Sequence, residues 1–140
     1  MRAIPILLVT AALTACGGTE DAPPAPAEGP MVSDFAGTWQ VTARLDGVAD
    51  PVASVMTCSA DGSCTLTLPD RPPMALGVSM SGDSLIGETA EYESVIREGV
   101  MVSIRTAMMR QGDEVTGKML ASYRTADGTE LVNGTVTGTR

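Results

Sequence analysis

Trp39-Gln40-Val41-Thr42-Ala43-Arg44-Leu45-Asp46 places an apolar side chain at every odd position and a polar one at every even position. A two-residue period belongs to a β-strand with one face buried and the other solvated. The alternation returns in Cys64, Leu66 and Leu68 against Thr65 and Thr67, and in Met74, Leu76, Val78 and Met80 against Ser79 and Ser81. No comparable helical period runs through residues 34–140.

Between these runs stand turn residues at hairpin spacing: Ala60-Asp61-Gly62, Ser81-Gly82-Asp83, Arg97-Glu98-Gly99, Gln111-Gly112-Asp113 and Ala126-Asp127-Gly128. Three of them end in glycine after two residues, the form of a three-residue loop whose last residue is left-handed. Applied to Ala60-Asp61-Gly62, that loop pairs Ser59 with Ser63, Cys58 with Cys64 and Met56 with Leu66. A non-hydrogen-bonded pair at Cys58 and Cys64 brings their Cα atoms to ~4.5 Å, within reach of a disulfide. The Arg97-Glu98-Gly99 loop pairs Ile96 with Val100, Tyr92 with Ile104 and Glu91 with Arg105. The Ala126-Asp127-Gly128 loop sets Tyr123 against Leu131 and Arg124 against Glu130.

The strands then fall near 37–46, 52–58, 64–69, 74–81, 84–96, 100–110, 114–125 and 129–140. The expected fold is all-β, an eight-stranded antiparallel up-and-down barrel, whose closure leaves no exposed edge and an interior sized for side chains or one small ligand. A two-sheet β-sandwich is the alternative, because alternation alone does not separate the two.

Phe35-Ala36-Gly37-Thr38-Trp39 resembles the Gly-X-Trp opening of the lipocalin and avidin groups, which are eight-stranded meander barrels. In lipocalins the tryptophan closes the barrel floor beneath a basic residue of the last strand. The resemblance therefore implies a closing pair of Trp39 and Arg140, although the register above puts Arg140 outward with Arg124 and Lys118, so that the stacking needs a bulge.

At the other end of the sequence, Arg2, the uncharged run 3–13 and Leu13-Thr14-Ala15-Cys16 resemble a bacterial lipoprotein signal. The run is short of the ~20 residues of a spanning helix. The resemblance implies cleavage after residue 15 and diacylglycerol on the Cys16 thiol. Two or three acyl chains together hold a protein on a membrane far more firmly than one. Gly17, where inner-membrane members carry Asp, favours the outer membrane, facing the periplasm. Residues 16–33, rich in Pro, Ala, Gly and acids, read as a disordered tether and residues 34–140 as one domain. With Cys16 acylated, Cys58 and Cys64 remain as an even pair in an oxidising compartment, and a disulfide is expected.

The formal charge of −8 disfavours nucleic acid, whose binding needs clustered Lys and Arg. The absence of histidine removes the usual general base and the commonest metal ligand, so no metal, cofactor or catalytic set is expected. Glu91 and Glu93 share the solvent face of one strand, and Gly82 and Gly112 precede strands rather than helices, so they form no phosphate cradle.

What remains is the interior. Met56, Met74, Met80, Met101, Met108, Met109 and Met119 offer adaptable walls, and Tyr92, Tyr123 and Asn133 are the candidate polar contacts, with Asn133, Thr135 and Thr137 expected inward beside Leu131. The expected function is a non-catalytic binding role for a small apolar ligand on a lipid-anchored envelope protein. The alternative is a protein-interaction module, an envelope inhibitor or assembly factor acting through its loops.

Overall fold

The computed structural model describes residues 23–25 and 28–140, so the signal segment, Cys16 and half of the tether lie outside the described residues. A 3-10 turn, Val32–Phe35, begins inside the stretch read as tether, and Val32 packs against the core. Its Asp34 carboxylate accepts the Met31 N–H at 2.8 Å.

Nine strands follow: β1 (Gly37–Leu45), β2 (Val52–Cys58), β3 (Cys64–Thr67), β4 (Met74–Ser81), β5 (Ser84–Thr89), β6 (Tyr92–Glu93), β7 (Met101–Gln111), β8 (Glu114–Thr125) and β9 (Gly128–Thr139). Each pairs antiparallel with its sequence neighbour, except that β5 and β6 lie end to end along β7, and β9 returns to β1. Counting β5 and β6 as one interrupted strand, this is a closed eight-stranded up-and-down barrel, and the sandwich is excluded. Closure satisfies the backbone groups that an open sheet would leave at its edges.

The first hairpin keeps the register read from the turn. Cys58 opposes Cys64 and Met56 opposes Leu66, Ser59 N–H donates to the Ser63 carbonyl at 2.8 Å, and Gly62 takes the left-handed φ of 90° that the loop requires. Cys58 and Cys64 form a disulfide with Cα atoms 4.1 Å apart. The ring spans a sequence separation of only 6, so reducing it, or the double substitution Cys58→Ser/Cys64→Ser, is expected to cost at most ~2 kcal/mol. A thermal melt should show an intact sheet spectrum with a lower midpoint; loss of the sheet signal would contradict this.

Two hairpins depart from the sequence reading. At the β8–β9 turn Thr125 opposes Gly128, Tyr123 opposes Glu130 and Arg124 opposes Thr129, because the turn contains two residues rather than three. Gly128 is the first residue of β9, its carbonyl accepting the Thr125 hydroxyl at 2.9 Å. This single-residue slip exchanges the faces of β9. Gly134, Val136 and Gly138 are buried, while Asn133, Thr135 and Thr137 are exposed and Leu131 is 60% exposed.

The β6–β7 loop is wider than expected: Ser94 N–H donates to Val100 O at 2.8 Å. The Ser94 hydroxyl accepts from Ile96 and Arg97 N–H at 3.2 and 3.1 Å, turning the chain before Arg97. Tyr92 consequently opposes Val102, not Ile104. Between the Glu88–Arg105 and Tyr92–Val102 pairs, the three residues Thr89, Ala90 and Glu91 stand against two on β7, Ser103 and Ile104, and form a bulge. It re-pairs the charges, with Glu88 on Arg105 at 2.9 Å and Glu91 on Arg124.

The interior divides into two clusters. Phe35, Trp39, Met56, Leu85, Met108 and Val115 belong to the one that fills the end where β1 begins. Leu45, Val102, Met119, Ala121 and Tyr123 form the other, towards the opposite end. The first end is the floor and the second is the mouth.

Candidate functional site: a half-open apolar interior

The floor is built on Trp39, which is wholly buried. Its indole N–H donates to the Phe35 carbonyl at 2.8 Å, and the two rings sit 6.5 Å apart and tilted. The Arg140 guanidinium lies 4.6 Å from the indole centroid and that of Arg110 lies 5.9 Å away. The face exchange in β9 explains Arg140: it shares the side of Val136 and Gly138, and no bulge is needed to bring it to Trp39. Arg110, which the sequence reading did not single out, also donates to the Asp34 carbonyl and, at 2.7 Å, to that of Gly112, fastening the 3-10 turn beneath the barrel.

Above this floor is a cavity of ≈ 70 Å³. Its depth is walled by Met56, Leu76, Met108 and Val136, and its middle by Ile104 and Met119. Towards the mouth it meets Ser54, Thr89, Tyr92, Ser94 and Tyr123, with Val95 and Ile96 leaning in from the β6–β7 loop. Of the seven methionines expected inside, Met101 and Met109 occupy outward positions on β7, and Met109 is 49% exposed.

Tyr92 and Tyr123 therefore meet in one site. Asn133 does not join them; it is exposed on the outer surface for the register reason above. Burial pushes the Tyr92 phenol up to about 12, reinforced by Tyr123 and opposed by Arg71. Burial likewise raises Tyr123, against the lowering influence of Arg97 and the Ser94 hydroxyl. Because the folded-state pKa of Tyr92 is above its ordinary value, its stabilising contribution is complete below pH 10 and is lost as pH rises towards 12. A pH-dependent melt should be flat with respect to this group up to pH 10 and then decline. Tyr92→Phe should soften that decline, and an identical alkaline limb in the variant would refute the assignment.

One arrangement at the mouth had no signal in the sequence. Arg97 lies 4.1 Å from the Tyr123 ring centroid and donates to both Glu130 carboxylate oxygens at 2.7 and 2.9 Å. It thereby ties the β6–β7 loop to β9, and Gly99 N–H adds a bond to the Glu93 carboxylate at 3.2 Å. The Arg97 hydrogen bond holds Glu130 below the usual carboxylate range. Among the described residues no group of three or more Asp, Glu or Cys side chains is placed to hold a metal ion.

No protein-family model matches this chain, and no curated protein matches it. Among solved structures, the rhizavidin–biotin complex is similar to it at 12% identity and a TM-score of 0.45, over 74% of this chain and 89% of that one. The intact apo form of afifavidin is similar at 16% identity and a TM-score of 0.42, over 73% and 77%.

Proposed function

We propose that this barrel is a non-catalytic binding protein that takes a small apolar molecule into the mouth half of its interior. The observation that carries the reading is the unequal filling of the barrel: a packed floor, then an apolar cavity under a mouth carrying hydroxyl groups. Pockets that bind small molecules combine an apolar wall with a few polar groups in this way. We further propose, on Leu13-Thr14-Ala15-Cys16 alone, that the protein is held at the bacterial envelope by acyl chains on Cys16, with the outer membrane favoured.

Binding is tested by titrating full-length protein carrying ¹³C-methyl methionine with small lipophiles. Met56, Met108 and Met119 should shift saturably while the exposed Met109 stays still. No saturable shift across a panel of hydrocarbons, ketones and alcohols would end the binding proposal. For the anchor, Cys16→Ser should move the protein to the soluble fraction or leave its leader uncleaved; unchanged membrane retention would end that proposal.

A further inference from the structure

We propose that the cavity selects a compact, uncharged molecule bearing one hydrogen-bond acceptor, to which the Tyr92 hydroxyl donates, and that it turns away anions and cations of the same shape. The inference rests on the binding role proposed above and adds the chemistry of the ligand.

Three observations carry it. No Asp, Glu, Lys or Arg lines the cavity, and a charge moved from water into such a lining finds no opposite charge to offset its desolvation. Arg97, the cation nearest Tyr123, is already held by both oxygens of Glu130, so it is not free to receive a carboxylate. Arg71 acts on Tyr92 from outside the lining, and its influence on the phenol is smaller than that of burial.

The second observation is the allocation of hydroxyl groups. Thr89 Oγ1 accepts the Ile104 N–H at 2.9 Å, the Ser94 hydroxyl accepts two loop amides, and the Thr106 hydroxyl faces the Gly87 carbonyl at 3.5 Å. Among the described residues the lining hydroxyls of Ser54 and Tyr92 make no such bond, and of the two the phenol is the stronger donor and is kept protonated by its burial. A protonated phenol can donate to a carbonyl or ether oxygen.

The third is size. A volume of ≈ 70 Å³ is roughly half that of the engineered ~150 Å³ apolar cavity that admits benzene. A branched chain of a few carbons fits this space with its polar end at the mouth; a long acyl chain does not.

The test uses isosteres with the labelled full-length protein: 4-methyl-2-pentanone (neutral, with an acceptor), 3-methylbutanoate (anionic), 3-methylbutylammonium (cationic) and 2-methylpentane (neutral, without an acceptor). At pH 7 the ketone should shift Met56, Met108 and Met119 with an affinity at least tenfold above either ion. Tyr92→Phe should weaken the ketone about fivefold, the loss of one hydrogen bond, and leave the hydrocarbon unchanged. Equal or tighter binding of the carboxylate or the ammonium overturns the selection by charge. An unchanged ketone affinity in Tyr92→Phe overturns the role of the phenol. Silence from all four molecules overturns the binding role itself, which distinguishes that failure from the other two.

Discussion

Trp39→Ala should lower the unfolding free energy by ~3–5 kcal/mol, read as a shift of the urea midpoint followed by far-ultraviolet circular dichroism. The magnitude follows from total burial of the indole and from its central place in the floor. Truncation empties the space between Phe35 and the opposing wall, strands the Phe35 carbonyl that the indole N–H satisfies, and removes the ring beside Arg140 and Arg110. Because that space is ringed by strands of a closed sheet, the neighbours have little freedom to collapse into it. Arg140→Ala provides the scale, since an arginine above an indole is worth ~0.5–2 kcal/mol. A Trp39→Ala cost below that of Arg140→Ala would mean that the floor is not what closes the barrel.

Gly117→Ala should be comparably damaging, with a loss of about 3 kcal/mol, the upper part of the usual cost of overpacking. A Cβ at Gly117 would stand 2.1 Å from the Ala107 carbonyl oxygen and 2.8 Å from the Met108 Cα, both backbone atoms of the paired strand. Rotating a side chain cannot relieve such a clash; β7 and β8 would have to separate. Gly134 repeats the situation, with its Cβ position 2.5 Å from the Arg44 carbonyl oxygen at the β9–β1 seam. The control is Gly77→Ala, where the added Cβ meets the Glu88 carbonyl oxygen at 3.5 Å, an ordinary contact. That variant should melt within a few degrees of the parent protein. If Gly117→Ala does the same, β7 and β8 have room between them that the Gly117 contact denies.

These inward glycines also explain where the sequence could be read and where it could not. In β1 the interior is announced by Trp39, Val41 and Leu45, whose bulk leaves no doubt about which face is buried. The Cys58–Cys64 hairpin is equally legible, because an Asp-Gly loop of three residues and two cysteines in register support each other. In β9 the buried positions include Gly134 and Gly138, which have no side chain to betray burial, while Leu131 on the solvent face advertises hydrophobicity. Alternation therefore pointed to the wrong face and carried Asn133 into the proposed site. The Asp127-Gly128 pair suits a two-residue or a three-residue turn, so turn chemistry could not correct it.

The bulge after Thr89 is settled by the pairing with β7, and the early end of the strand by the Ser94 hydroxyl, which turns the chain through the nearby Ile96 and Arg97 amides, a local bond that alternation does not register. Of the candidate site, Tyr92 and Tyr123 were recognisable as aromatic residues on alternating strands. The Arg97–Glu130 pair was not, because 33 residues separate its members and only the pairing of β7, β8 and β9 side by side brings them together.

The polypeptide enters the barrel at its sealed base. The Val32–Phe35 turn lies beneath Trp39, fastened by Arg110, whereas the cavity opens among the loops at the far end. Pro30, just ahead of that turn, shares a shallow groove with Phe35 and Arg110, so the described chain leading into the fold runs along the closed end, across the length of the barrel from the opening.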